Sequence, residues 1–142
     1  MRSLLLLVAA GVATAAPVPK GLKKPAPMDG RWRIVEAVYD GQPQDVSRAA
    51  DWYIDGEWFN LGSPPAADAK TGLKLVRDEQ NPSLVEYHNI HSIGSVSRFP
   101  GLLEVNGDEM RFCYVSQGNP RPTEMAPGPG VTYRVFKRME EK

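Results

Sequence analysis

The chain has 142 residues, with 17 basic and 17 acidic side chains, 13 glycines, 13 prolines and one cysteine. That length holds one modest domain. Balanced charge, with no basic stripe interleaved with aromatics, excludes electrostatically steered nucleic-acid binding. Cys113 alone cannot form an intramolecular disulfide framework, so the fold rests on its apolar core.

The first residues read as a secretory signal. Arg2 is a minimal positive region, residues 4–12 are an apolar run and Ala13-Thr14-Ala15 is a small-residue cleavage site. Residues 1–15 are therefore expected to be a signal peptide, and the mature chain to be exported, periplasmic or extracellular. The apolar run is too short for a bilayer that needs about 20 apolar residues. No integral membrane segment is expected after cleavage, and with Cys113 far from the leader no lipid anchor is expected either. Residues 16–28 carry four prolines and three lysines and form a linker. Loss of Arg2 leaves 16 basic residues against 17 acidic.

The domain is assigned to residues 29–139. Its first strand spans 31–39, opened by Gly30-Arg31-Trp32 and ended by Asp40-Gly41. Strand alternation puts Trp32, Ile34 and Val38 on one face together with Glu36, which makes Glu36 a polar handle on the inward side. About two turns of helix are expected near 45–51. Asp55-Gly56 joins Trp52-Tyr53-Ile54 to the run 57–61 in a hairpin, and 62–72 is a loop rich in proline and alanine. Strands follow at 73–77 and 84–90. In the hairpin 102–115, Asn106-Gly107 offers the positive-φ positions of a type I′ turn, with Leu103, Val105, Met110, Phe112 and Tyr114 facing inward. Residues 116–130 are too rich in proline and glycine to continue the sheet. In the last strand, 131–138, Val131, Tyr133 and Val135 compete with Phe136 for the inward face. No window carries a long stripe of helical period.

The consequence is an all-β fold: a single small antiparallel β-barrel of seven or eight strands. The two ends of the domain then meet. The Trp32 indole plugs the barrel floor and the Arg138 guanidinium covers it, a cation–π contact of about 0.5–2 kcal/mol.

Several motifs carry a family resemblance. They are Gly30-Arg31-Trp32 with Asp40-Gly41; Gly101-Leu102-Leu103-Glu104-Val105 with Gly107-Asp108; Met110-Arg111-Phe112-Cys113-Tyr114; Arg121-Pro122-Thr123-Glu124-Met125; and Val135-Phe136-Lys137-Arg138. On these, residues 29–139 resemble the small secreted lipocalin-like domains of unknown function that are abundant in planctomycete bacteria. Gly30, Trp32, Gly107, Asp108, Cys113, Arg121, Pro122 and Arg138 form the matching signature; Met125 stands where that family usually has an aromatic residue, and residues 48–93 match poorly. The resemblance implies a calycin-type barrel, with no established activity and no cofactor.

Chemistry-bearing residues are sparse. His88 and His91 lie in a strand-like stretch, where positions three apart face opposite ways, and no third ligand completes a metal site. Ser92, Ser95 and Ser97 lie near His91 without the second glycine of a nucleophile elbow, so they are read as a polar loop. Cys113 shares a strand face with Arg111, which would lower its pKa, but its aromatic neighbours in sequence favour a buried, inert thiol. Asp78-Glu79 and Asp108-Glu109 are adjacent turn carboxylates and do not face each other across a substrate. Arg121, held extended before Pro122, is placed to clamp Glu124 or Glu36 across the barrel mouth.

These readings describe a non-catalytic secreted or envelope module. Its interior, with Trp32, Phe112, Tyr114 and Glu36, would accept a small apolar or amphipathic molecule, and Arg121 is a further ligand-binding candidate. The alternative is a packed barrel acting by surface contact with an unidentified protein partner, and the bulky inward residues lean that way. A hydrolase of unknown substrate ranks third.

Overall fold

The computed structural model describes residues 27–140. The expected signal peptide and residues 16–26 of the linker lie outside the described residues. Nine strands follow in order: β1 Gly30–Tyr39, β2 Gln42–Pro43, β3 Trp52–Asp55, β4 Trp58–Leu61, β5 Gly72–Arg77, β6 Leu84–Ile90, β7 Val96–Asn106, β8 Glu109–Val115 and β9 Val131–Met139. All pairings are antiparallel between chain neighbours, except that β1 skips the two-residue β2 to reach β3 and also pairs with β9. That last pairing closes the sheet into an eight-stranded barrel, with β2 an appendage on the tip of β1. The small all-β barrel expected from alternation and turns is the observed fold.

Closure removes free sheet edges, which is what makes so small an antiparallel sheet viable. One end of the barrel, the tight end, carries the two-residue turns after β3 and β7, the connection 78–83 and both domain ends; the other carries the connections 40–51, 62–71, 91–95 and 116–130. The tight end is packed solid. Trp32, Phe112, Phe136, Leu75, Leu103 and Met110 have no exposed surface.

Trp32 and Arg138 meet as expected: they are paired across β1 and β9, with the guanidinium carbon 4.2 Å from the ring centroid. The indole N–H donates to Met28 O at 2.7 Å, and Arg138 donates to the carbonyls of Asp29 and Pro27. Gly30 completes the plug. Its φ is +130°, and a Cβ there would lie 3.0 Å from the Arg138 guanidinium, so the first residue of the Gly-x-Trp motif leaves the room that the arginine uses.

Three local expectations are corrected, and the open choice in the last strand is settled. Glu36 does not face inward: β1 has a bulge between Ile34 and Glu36, so the inward set switches from Trp32 and Ile34 to Ala37 and Tyr39, and Glu36 is exposed on the outside. No helix forms at 45–51. Asp45 accepts the Ser47 N–H at 2.9 Å and Asp51 is claimed by Arg31 and Arg33, so side chains hold this loop in a non-helical form. The turn before β8 is centred on Gly107-Asp108, with Asn106 paired to Glu109; only Gly107 has positive φ, the pattern of a glycine-first turn and not of type I′. In β9 the inward residues are Thr132, Arg134, Phe136 and Arg138, because Met110 pairs with Phe136 and Phe112 with Arg134.

Tyr133 and Val135 therefore face outward, yet they are buried. With Val38 and Cys113 they form a second apolar cluster, and Leu102, Met125 and Val131 pack against it. The 116–130 segment, entering through Met125 and Glu124, covers this outer face as a strap.

Candidate functional site

The loop-bearing end differs from the packed floor. Above Phe112 and Phe136 the inner wall continues as a connected set of rings from five strands: Trp52 stacks on Phe59 with centroids 4.4 Å apart, Phe59 meets Tyr87, and Tyr87 meets both Phe99 and Tyr114. Trp52 and Phe59 are buried, whereas Tyr87, Phe99 and Tyr114 are half-buried, so the upper layer of the array is reachable from the mouth. Offset and edge-on ring contacts of this kind add about 0.5–1.5 kcal/mol per pair beyond area burial. The wall is preformed and stiff.

Arg134 enters this layer from β9. Its guanidinium carbon lies 5.6 Å from the Trp52 ring centroid and 5.8 Å from that of Tyr114. Beside it, a cavity of about 300 Å³ runs along the inner face of β1 and β9, lined by Ile34, Ala37, Tyr39, Thr132 and Arg134 and roofed by residues 44–49. The roof is held from several sides. The Gln44 N–H donates to Ala37 O at 2.8 Å, the Gly130 N–H donates to Asp40 Oδ1 at 2.7 Å, and Asp51 binds Arg31 at 2.7 Å and Arg33 at 3.0 Å. The hydrogen bond from Arg33, followed by that from Arg31, holds the Asp51 carboxyl below its ordinary value against the opposing effect of burial.

The residues singled out from sequence fall in different places. Phe112 and Tyr114 are inside, Phe112 in the sealed floor and Tyr114 in the reachable layer. Glu36 is outside. Arg121 does not span the mouth: it lies against the outer surface in a groove shared with Asp78, Glu79 and Glu86, and among the described residues it forms no ion pair with Glu124 or Glu36.

Cys113 is fully buried beneath the strap, with Sγ 3.8 Å from Glu124 O, and burial pushes its thiol up in pKa despite Arg111 on the same face. His88 pairs with Glu86 at 3.0 Å on the outside of β6, while His91 Nε2 lies 3.1 Å from Ser97 Oγ at the rim. Among the described residues no group of three or more His, Cys, Asp or Glu is placed to hold a metal ion. No helix among them is long and apolar enough to cross a membrane.

Arg134, Trp52, Tyr87 and Phe99 were not legible as site residues. Arg134 sits between Tyr133 and Val135, the apolar pair that alternation offers as the inward face. Only cross-strand register, with Arg134 opposite Phe112 and Ala37, reveals that the arginine points in. No family model, no curated protein and no solved structure matches this chain.

Proposed function

We propose that this chain is a non-catalytic binding module, exported to the periplasm or beyond, that holds a small amphipathic molecule in the upper half of its barrel. One observation carries the reading: the cavity of about 300 Å³ beside half-buried rings, above a floor sealed by Trp32, Phe112 and Phe136. Its volume is at the small end of the range for small-molecule sites, about 300–1,000 Å³. Export and kinship with the small secreted lipocalin-like domains belong to the same proposal, supported by the leader and by the motifs from Gly30 to Arg138.

The experiment is a titration of the mature protein with the neutral single-ring probe 4-nitrotoluene, followed by quenching of tryptophan. Saturable binding with one site per chain is expected. Ala37→Trp, which fills the inner wall, should remove it while leaving a cooperative melt. A native protein that gives only a linear, non-saturating signal sinks the reading.

The second reading, a packed module acting by surface contact, is favoured by a separate feature. An outer groove of about 730 Å³ runs between Arg31, Tyr53, Pro64, Pro65 and Met139, and suits an extended peptide better than an enclosed ligand.

A further inference from the structure

Arg134 is a cation on the inner wall of a barrel, and its surroundings do not neutralise it. Among the described residues it forms no ion pair and no side-chain hydrogen bond; its contacts are the faces of Trp52 and Tyr114. Aromatic faces stabilise the charge, but they are not hydrogen-bond acceptors for the five N–H donors of a guanidinium.

The groups around it leave those donors unclaimed. Asp45 is the carboxylate that lines the same cavity, and it is turned into its own loop by the Ser47 N–H at 2.9 Å, a bond that keeps it below its ordinary pKa. Glu36, the nearest acidic residue along β1, is on the outside. The Tyr87 phenol is pushed above its ordinary value by burial and stays neutral near pH 7. From β1 and β9 the remaining wall is Ile34, Ala37, Val38, Tyr39 and Thr132, which brings no charge.

Resting on the binding reading above, we infer that the ligand is a compact monocarboxylate whose carboxylate is received by Arg134 and whose apolar body lies along the cavity and the rings. A planar fork of N–H donors matches a carboxylate with two parallel hydrogen bonds, and such charge-assisted pairs are stronger than neutral ones. The cavity sets the size of the body. At about 30 Å³ per water-sized unit, 300 Å³ holds about ten non-hydrogen atoms, which admits a medium-chain or single-ring acid and excludes a long acyl chain folded whole inside.

The probes are octanoate, octan-1-ol and octylammonium, which differ in the charge of the head, and acetate, which lacks the body. Calorimetric titration of the mature protein should find octanoate binding at least about tenfold more tightly than octanol, with octylammonium and acetate weaker still. Arg134→Gln should bring octanoate and octanol within about twofold of each other. Arg134→Lys should keep the order but narrow the gap, because a point charge replaces the fork.

Equal binding of octanol and octanoate by the native protein, or a preference that survives Arg134→Gln, overturns the inference while leaving the cavity reading standing. Acetate binding as tightly as octanoate also overturns it, since the body would then contribute nothing. If none of the eight-carbon probes binds, the cavity reading falls and the inference falls with it. Should Arg134→Gln fail to fold, the native protein decides through salt: raising ionic strength must weaken octanoate and leave octanol unchanged, and the same loss for both is the overturning result.

Discussion

Trp32 illustrates how one side chain can hold two strands and a chain end together. Its ring is sealed at the barrel floor, its N–H is satisfied by Met28 O, and its face is covered by Arg138, which in turn binds the carbonyls of Asp29 and Pro27. Trp32→Ala is expected to cost about 3–5 kcal/mol, as removal of a buried tryptophan does, and an unchanged melting temperature refutes the plug. Arg138→Lys should lose part of the stability and Arg138→Ala more, since the planar fork and the stacking are both lost. Lys137 is exposed on the opposite face of β9, and Lys137→Ala should stay within about 0.5 kcal/mol. A double-mutant cycle on Trp32 and Arg138 should show coupling of about 0.5–2 kcal/mol, and simple additivity is the result that denies the contact.

At the scale of elements, two features bend the barrel wall. The bulge at Val35 resets the face of β1, and Gly101 lets β7 approach β8 closely: a Cβ there would lie 2.3 Å from Cys113 O and 3.0 Å from Tyr114 Cβ. Backbone cannot yield as a side-chain tip does, so Gly101→Ala is expected to destabilise by more than about 1 kcal/mol, checked by urea unfolding.

The roof over the cavity makes a pH prediction. Asp51 has its pKa lowered in the folded state, so its contribution is fully present above its unfolded value of about 3.9 and is lost as pH falls through the lower folded value. Asp51→Asn should therefore lower Tm at pH 7, and the difference from the native protein should shrink towards zero as the pH falls through the lowered folded value. A difference that persists unchanged at the acid end shows that Asp51 acts otherwise than as a charge.

For the whole molecule, closure between β1 and β9 is what turns a row of hairpins into a barrel, and β9 contributes inward residues from Thr132 to Arg138. Truncation after Gly130 removes this partner from both β1 and β8, and with it Phe136 from the core and Tyr133 and Val135 from beneath the strap. The truncated chain is expected to lose its cooperative thermal transition by circular dichroism. A retained sharp melt is the contrary outcome. At the other end, intact mass of the exported protein should place its N-terminus at Ala16; material beginning at Met1 denies the signal peptide.

Local features can be read along the chain. Alternating apolar residues and the turn glycines Gly41, Gly56 and Gly107 specify most strands, although two of the turns lie one residue later than read, at Gly56-Glu57 and Gly107-Asp108, and the spacing of Trp32 and Arg138 at the two ends of the domain marks where the barrel closes. These features are legible because period-two patterning and glycine turns depend on neighbours in the chain. The inward faces of β1 beyond its bulge and of β9 emerge only from cross-strand pairing. Glu36 was placed inside by an alternation that a bulge interrupts, and Arg134 was passed over because Tyr133 and Val135 look like core residues, as they are, though of an outer core under the 116–130 strap. Hydrophobicity records only that a residue is covered; whether the cover is the barrel interior or a returning loop is set by cross-strand register and by chain more than ten residues away.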